Sequence, residues 1–262
     1  ALCFAAGSSK RLGSVDEGNA VADFEPEERE RQISISPALC HLMRNGTKIN
    51  VIDTPGYGEF FAEVIPCIWA ADAAGIVVDA ASGVEVHTHK VYESARDMGL
   101  PMLAIVNKMS GEHADYDAAV ASIDEMLTDA EAVRLQIPVG EQEQCRGVVD
   151  LLSMKMLDTD GNWTDIPDDM ADEADVAREE LVDAVAANDE ELIEKYFEEG
   201  TLNTEELTGG LAKAVASRTL VPVLLTDALE SVGIETLLDF VEAGCPAPDN
   251  RGAWVGHERG DE

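Results

Sequence analysis

The stretch KINVIDTPGY, residues 48–57, decides the fold, because an apolar strand ends there in an aspartate and turns at once through Thr-Pro-Gly. Asp53 stands at the carboxyl end of that strand, where a carboxylate can hold the water shell of a Mg²⁺ ion. Gly56 has no side chain, so its backbone N–H can approach a terminal phosphate. The stretch predicts the metal and phosphate edge of a nucleotide site. An ordinary Pro-Gly turn after a strand is the competing interpretation.

A second apolar strand ends in polar residues. The run PMLAIV, residues 101–106, is followed by Asn107, Lys108 and Ser110. Continuously apolar strands are typical of parallel sheets that are covered on both faces, where ligands bind beyond the carboxyl ends of the strands. An asparagine there can hydrogen-bond a purine edge or brace a phosphate loop, and the aliphatic part of a lysine can lie against the base. The ordered pair of strand ends predicts one shared nucleotide cleft. The second strand end by itself would also be typical of an ordinary strand capped by polar residues.

The composition is that of a globular protein with a strong negative charge. With 262 residues and 45% hydrophobic content, the chain can bury a large core. We expect no membrane partner, because no apolar run reaches the roughly 18 residues of a membrane span and no signal peptide begins the sequence. Five scattered cysteines without a CxxC pair are typical of reduced thiols and predict a cytoplasmic location.

The excess of carboxylates bears on partners and environment. A net charge of −35 repels polyanions, so this segment is not expected to bind nucleic acid through a broad basic face. The charge suits a salt-rich cytoplasm, where a Debye length of about 3 Å at 1 M salt removes self-repulsion. The alternative is a solvated acidic surface that keeps the protein soluble at ordinary salt.

Predicted strands and helices alternate along most of the chain. Buried strands are expected at residues 74–80 and 220–225, with helices at 87–98 and 234–241 between and after them. The alternation Ile33-Ser34-Ile35-Ser36 predicts a further, half-buried strand. This order predicts an α/β fold with a doubly wound sheet.

The pattern of predicted strands and helices changes in the middle of the chain. Residues 129–217 contain short strand-like runs and acidic helices, one of which is expected to span residues 172–198. We therefore predict an inserted α+β subdomain at 129–217, a parent domain at 1–128 and 218–248, and a linker at 249–262.

Several motifs occur in an order that is typical of one known family. Residues 12–18, LGSVDEG, followed by Asp23-Phe24 and Glu27-Glu28, are similar to a first switch region, and residues 31–35, RQISI, stand where that region usually has RGITI. Further matches are residues 53–56 (DTPG), Asp79-Ala80 with Gly83-Val84, residues 107–109 (NKM) for NKxD, Lys155 and Glu194-Lys195-Tyr196 in the insertion, and residues 226–229 (TDAL) for a Ser-Ala-Leu loop. Essentially the whole chain resembles the GTPase domain of elongation factor G, most closely its divergent elongation factor G-like branch, with a P-loop NTPase-like sheet.

The resemblance implies ligands and roles. GTP or GDP and Mg²⁺ are the implied ligands, with Ser34 coordinating the ion and Asp53 holding it through water. Gly56 would offer its N–H to the γ-phosphate. In the base site, Asn107 and Lys108 would hold guanine, and Ala228 would offer its N–H to the base oxygen.

The sequence departs from the family pattern at four places. The phosphate loop GxxxxGK(S/T) is absent with its strand, and because residue 1 falls in the helix that should follow it, we expect an amino-terminal truncation. Tyr57 stands where a histidine usually positions the attacking water, and a phenol is a poorer partner for that water. Ser110 replaces the aspartate that reads guanine, and Asp227 replaces the serine of the base loop.

Three functional hypotheses follow. The first is a GTPase that acts on the ribosome, with the stalk proteins and the factor-binding site as implied partners and GTP hydrolysis as its switch; direct nucleic-acid binding is then expected only through ribosomal contacts. The second is a degenerate module of the same fold that docks to the ribosome or another partner without turnover. The third is a purine-nucleotide ATPase that Ser110 has freed from guanine selectivity. For residues 1–262 alone we expect weak or no nucleotide binding.

Overall fold

The computed structural model describes residues 1–251, so the predicted linker lies outside the described residues from position 252 onward. Within residues 1–251 the strands are β1 (Ala38–Arg44), β2 (Thr47–Asp53), β3 (Ala74–Asp79), β4 (Met102–Asn107), β5 (Glu131–Arg134), β6 (Gln136–Pro138), β7 (Gly147–Asp150), β8 (Lys155–Asp158), β9 (Trp163–Thr164) and β10 (Leu220–Leu225). The α-helices are α1 (Leu2–Ala5), α2 (Pro26–Arg31), α3 (Phe61–Ala70), α4 (Val86–Asp97), α5 (Tyr116–Met126), α6 (Ala171–Ala186), α7 (Glu190–Glu199), α8 (Thr204–Ser217) and α9 (Ile234–Gly244). No helix in this part of the chain is both long and apolar enough to cross a membrane.

A parallel sheet with the order β3-β4-β10-β5 forms the centre of the fold. All six residues of β10 are buried, as expected for a strand covered on both faces. Asp79 is in register with Asn107, and Leu225 with Val106, so these strands end at the same edge of the sheet. The predicted α/β fold is confirmed, and the residues after β3, β4 and β10 lie side by side at that edge.

The strand that ends in Asp53 lies outside the parallel sheet, in an antiparallel hairpin of β1 and β2. No residue of β2 is buried, so the expectation of a buried strand that runs parallel to β4 was wrong. The turn of the hairpin, Asn45-Gly46, has positive φ at both residues, as a two-residue hairpin turn requires. Leu42 is fully buried and packs in one cluster with Ile234 and Leu238 of α9. This helix therefore anchors the hairpin and with it the position of the DTPG turn.

An ion-pair cluster adds a second connection between the hairpin and α9. Arg44, whose side chain is largely buried, donates Nη1 to Glu235 Oε2 at 2.8 Å and also binds Asp239. Asn45 and Thr47 donate to Glu242 on the same helix. Guanidinium groups suit such multiple carboxylate contacts because their donors lie in a fixed planar fork.

The middle of the chain forms an antiparallel sheet, β6-β7-β8-β9, with α6, α7 and α8. Its core is shared with the parallel sheet, since Leu181 and Leu211 lie in the same cluster as Leu224 of β10. β5 pairs in parallel with β10, so the antiparallel sheet begins one strand after the predicted boundary at residue 129.

Two local predictions were wrong. The helix expected at 172–198 is divided into α6 and α7, because Asp189 caps a new helix by accepting the N–H groups of Glu191 and Leu192. Residues 33–36 form no strand. The N–H groups that a strand partner would need are bound instead by the buried carboxylate of Glu28.

Candidate nucleotide site

Asp53 ends β2, as predicted, and lies in a region of concentrated negative charge. Its residue is solvent-exposed overall, yet surrounding protein atoms desolvate the carboxyl group. This desolvation, together with the negative charges of Asp23 and Glu28, raises the pKa of Asp53. A bound cation would offset the repulsion among these three carboxylates.

Ser34 faces the same charged region. Its hydroxyl donates to Asp23 Oδ1 at 3.0 Å, and Asp23 is 6% exposed. Because the hydroxyl proton is directed at Asp23, the lone pairs of Ser34 Oγ stay available to a cation. Asp23 therefore orients the predicted metal ligand, in the manner of the outer partners that position ligands in metal sites.

Glu28, a fully buried carboxylate, organises this segment. Its Oε1 accepts the N–H groups of Ile35 and Ser36, and its Oε2 accepts that of Glu25, each at 2.9 Å. Burial alone would raise the pKa of Glu28, but these backbone hydrogen bonds lower it. The sequence analysis placed Glu28 in the switch region by resemblance but gave it no role, although Glu25-Pro26 followed by Glu28 is the signature of a capping box with proline at the first helical position.

The residues at this end fit Mg²⁺. Ser34 and Asp53 offer a hydroxyl and a carboxylate, and oxygen ligands are the ones that Mg²⁺ prefers. Within residues 1–251 there is no group of three or more His, Cys, Asp or Glu that could hold a metal ion.

Gly56 and Tyr57 both face solvent. A Cβ built at Gly56 would meet no described atom within 4 Å, so packing inside this part of the protein does not demand glycine there. Tyr57 is 58% exposed, and its hydroxyl forms no hydrogen bond to residues 1–251. At Gly58, by contrast, an added Cβ would lie 2.8 Å from Cε1 of His87, so the imidazole would have to move.

At the other strand ends, Asn107 joins two loops. Its Oδ1 accepts from the hydroxyl of Thr226 at 3.0 Å and from the backbone N–H of Ala228 at 3.1 Å. Both partners follow β10, whereas Asn107 ends β4. The adjacent strands thus hold the amide of Asn107 in one orientation at the carboxyl edge of the sheet. The N–H of Ala228, which the resemblance assigned to the base oxygen, binds Asn107 in this structure.

Asp227 makes a second connection between the same loops. Its Oδ2 accepts the backbone N–H of Ser110 at 2.8 Å, and its Oδ1 accepts those of Leu229 and Glu230, each at 3.1 Å. The residue is 2% exposed. A buried carboxylate with three N–H donors is well satisfied, so Asp227 fixes the relative position of the loops around residues 107–110 and 226–230.

Lys108 is held by a residue that the sequence did not single out for a role. Its Nζ lies 2.8 Å from Oδ2 of Asp79, which ends β3 and is in register with Asn107. Partial burial of Asp79 is outweighed by hydrogen bonds from Lys108, Ala81 and Ser82, so the pKa of Asp79 is lowered. Only the parallel pairing of β3 and β4 brings these two residues together, and it leaves no signal in the local sequence.

The predicted site residues therefore form two sets. The base set contains Asn107, Lys108, Ser110, Asp227 and Ala228. Hydrogen bonds join Asn107 to Ala228 and Ser110 to Asp227, and an ion pair joins Lys108 to Asp79 at the end of the neighbouring strand. The metal set is Ser34 and Asp53, related through Asp23. Within residues 1–251, no hydrogen bond or ion pair connects the two sets.

Comparison with known proteins identifies the domain. The family described as "Elongation factor Tu GTP binding domain" matches residues 1–247. Elongation factor G of Thermotoga sp. (strain RQ2) is 38% identical over 253 residues, 94% of this chain and 36% of that protein. Elongation factor G of Thermotoga maritima is 37% identical over the same shares.

A solved structure agrees with this match. The crystal structure of a protein from Thermus thermophilus has a TM-score of 0.88 and 28% sequence identity, and the likeness covers 95% of this chain and 38% of that one. The chain thus spans 36% of the length of the elongation factors named above. Because the family match extends over residues 1–247, the chain belongs to the elongation factor Tu GTP-binding domain family of translational GTPases.

Proposed function

We propose that this chain is the nucleotide-binding domain of an elongation factor G-like GTPase that binds GTP and GDP with Mg²⁺ and acts on the ribosome. The observation that carries the proposal is the pair of loops at the carboxyl edge of the parallel sheet, held together by Asn107 and Asp227. Ligands of doubly wound sheets bind at this edge. In this proposal residues 1–128 and 218–248 form the GTPase domain and 129–217 its inserted subdomain.

The base set binds and orients the purine. Asn107 donates from its amide nitrogen, because its oxygen is committed to Thr226 and Ala228. The stem of Lys108 lies against the base, and its ammonium group is positioned by Asp79. These contacts contribute affinity regardless of the number of phosphates on the nucleotide.

The metal set responds to the phosphates. Mg²⁺, when bound, neutralises phosphate charge in a protein whose own net charge is −35. Ser34 and Asp53 would hold the ion, and Gly56 would donate its backbone N–H to the γ-phosphate. Loss of that phosphate removes the contact, so residues 23–36 and 53–57 form the segments that hydrolysis releases.

Tyr57 determines how fast the proposed hydrolysis runs. Its exposed phenol stands where an imidazole would position water, and no described residue holds the hydroxyl. We infer slow turnover by the isolated protein. The ribosome, through its factor-binding site and stalk proteins, is the proposed partner, in the cytoplasm, because elongation factor G is a relative whose match covers 94% of this chain.

The binding test uses the whole natural protein that carries these residues. Fluorescent GTP and GDP analogues are titrated with and without Mg²⁺, and Asn107→Ala is expected to weaken both by about tenfold or more through loss of a partly buried hydrogen-bonding group. Asn162→Ala, in the exposed turn after β8, is the matched control and should bind like the parent protein. Absence of saturable guanine-nucleotide binding by the parent protein would refute the proposal.

A second candidate function, binding to the ribosome without turnover, is favoured by Tyr57. Cosedimentation with ribosomes and phosphate release separate the two. The GTPase proposal predicts phosphate release that ribosomes stimulate, whereas the second candidate predicts nucleotide-independent cosedimentation with no release above the ribosome background.

A further inference from the structure

The base set offers hydrogen-bond donors to a ligand, whereas its carboxylate, Asp227, is bound by backbone N–H groups of the protein. Asn107 Oδ1 faces the backbone N–H of Ala228, which can only donate, so this atom must be the oxygen and the amide nitrogen must point away. Within residues 1–251, Nδ2 of Asn107 donates to no protein acceptor. Its two N–H groups are therefore available to two acceptors on a ligand.

Asp227 cannot turn toward a base without breaking its own contacts. Its two oxygens already accept three backbone N–H groups, and 2% of the residue is exposed. Rotation would leave those donors unpaired in a buried place. Asp227 is therefore a positioning residue that fixes the two loops.

Two other carboxylates, Glu112 and Asp115, lie near Ser110 in the sequence, and neither is positioned to bind a base. Asp115 caps α5 by accepting the N–H of Ala118 at 2.9 Å. The side chain of Glu112 is 89% exposed and lies 3.6 Å from His113, its neighbour in sequence. Between the two loops, the polar side chain that is left to contact the base is that of Ser110, whose backbone N–H is bound by Asp227. A hydroxyl can donate or accept, so it does not select between a donor and an acceptor on a ligand.

We propose that this site takes 6-oxopurine nucleotides as a class and does not read the substituent at position 2 of the base. The inference rests on the proposed function and names its substrate class. A 6-oxopurine offers two neighbouring acceptors, N7 and O6, to the two N–H groups of Asn107, whereas adenine replaces O6 with an amine that donates. Ser110 accepts from the 2-amino group of guanine, donates to the 2-oxo group of xanthine, and tolerates the hydrogen of hypoxanthine.

The test is a competition experiment on the whole natural protein, in which GTP, ITP, XTP and ATP displace a fluorescent GDP analogue. A carboxylate that reads the 2-amino group would favour GTP over ITP by about 10- to 100-fold. We expect GTP, ITP and XTP to bind within about fivefold of one another, because a hydroxyl contributes at most a weak neutral hydrogen bond, and ATP to bind at least about tenfold more weakly.

Variants place the effect at the named residues. The double substitution Ser110→Asp with Asp227→Ser moves the carboxylate from the buried position 227 to position 110. It should weaken the binding of ITP and XTP relative to that of GTP by about tenfold or more. Circular dichroism and a melting curve verify that this variant folds. Glu112→Gln should leave the ITP to GTP ratio of the parent protein unchanged.

The outcomes are distinguishable. Preference for GTP over ITP by more than about fivefold in the parent protein, or a change of that ratio in Glu112→Gln, overturns the inference and leaves the proposed GTP site standing. Equal binding of ATP and GTP also overturns it. If none of the four nucleotides binds, the inference and the proposed function both fail. Because the nucleotide panel is measured on the parent protein, the inference does not depend on the folding of any variant.

Discussion

Replacing Glu28 with glutamine should open the segment around Ser34 without unfolding the domain. The parent carboxylate is fully buried and accepts three backbone N–H groups at 2.9 Å. A hydrogen bond to a charged acceptor contributes about 1.5–3 kcal/mol. Glutamine keeps one acceptor oxygen and turns an NH₂ group toward at least one of those donors. We expect a loss of about 2–3 kcal/mol, confined to residues 23–36 because these donors all belong to that segment.

The same carboxylate makes the segment sensitive to acid. Burial raises the pKa of Glu28, but the backbone hydrogen bonds to its charged form outweigh burial, so the folded pKa lies below the ordinary value of 4.5. Its contribution to stability is therefore complete above the unfolded pKa and is lost as pH falls through the folded value. Once the pH falls below the folded pKa of Glu28, the parent protein should approach the behaviour of Glu28→Gln at pH 7.

Hydrogen exchange and limited trypsin digestion measure the effect. A loss of about 2–3 kcal/mol corresponds to about a 30- to 150-fold larger opening equilibrium, which should appear as lost amide protection over residues 23–36 and faster cleavage after Arg29 and Arg31. Glu27→Gln is the matched control, because its side chain is 61% exposed and its pair with Arg31 is a surface ion pair. Equal protection and cleavage in the two variants at pH 7 would contradict the assignment of Glu28 as the organising residue.

Three further predictions concern the core, the hydrolytic position and Lys108. Gly210→Ala should lower the stability of the fold by about 1–3 kcal/mol, because a Cβ would overlap side chains of α6 and α7. Gly209→Ala faces open space and should stabilise α8, and thermal melting of the two variants compares them. Tyr57→His should raise ribosome-stimulated phosphate release, and an unchanged rate contradicts a role for this position. Asp79→Asn should change stability by no more than about 1 kcal/mol but weaken GTP binding about two- to fivefold as Lys108 loses its partner, which a nucleotide titration would show.

The parts of the fold that follow from local pattern could be predicted from sequence. The apolar runs at 101–106 and 220–225 have the pattern of strands buried on both faces, and both lie in the parallel sheet. The polar residue after such a strand must lie at the carboxyl edge, so the position of Asn107 followed directly. These inferences succeed because a strand's burial and its end are both encoded within a few neighbouring residues.

Where the outcome depended on distant partners, local pattern was insufficient. The alternation Ile33-Ser34-Ile35-Ser36 has strand periodicity, but its N–H groups at Ile35 and Ser36 are satisfied by Glu28. Competition for backbone donors decided the structure there, and periodicity does not report it. The inward orientation of Asp227 likewise depends on the N–H of Ser110, which is distant in sequence and close only once β4 and β10 pair.

The two ends of the proposed site differ in what holds them, and this difference suits the proposal that one domain both binds a nucleotide and responds to its phosphates. At the base end, protein groups satisfy one another through Asn107 and Asp227, so little ordering is required when a nucleotide arrives. At the metal end, Asp53 is desolvated among like charges that raise its pKa, so a cation gains more there than in water. A ligand shifts a conformational equilibrium only by its differential affinity for the two states. In this proposal the base end is the same for GTP and GDP, so any difference between them must act through Ser34, Asp53 and Gly56 and through the segment that Glu28 holds.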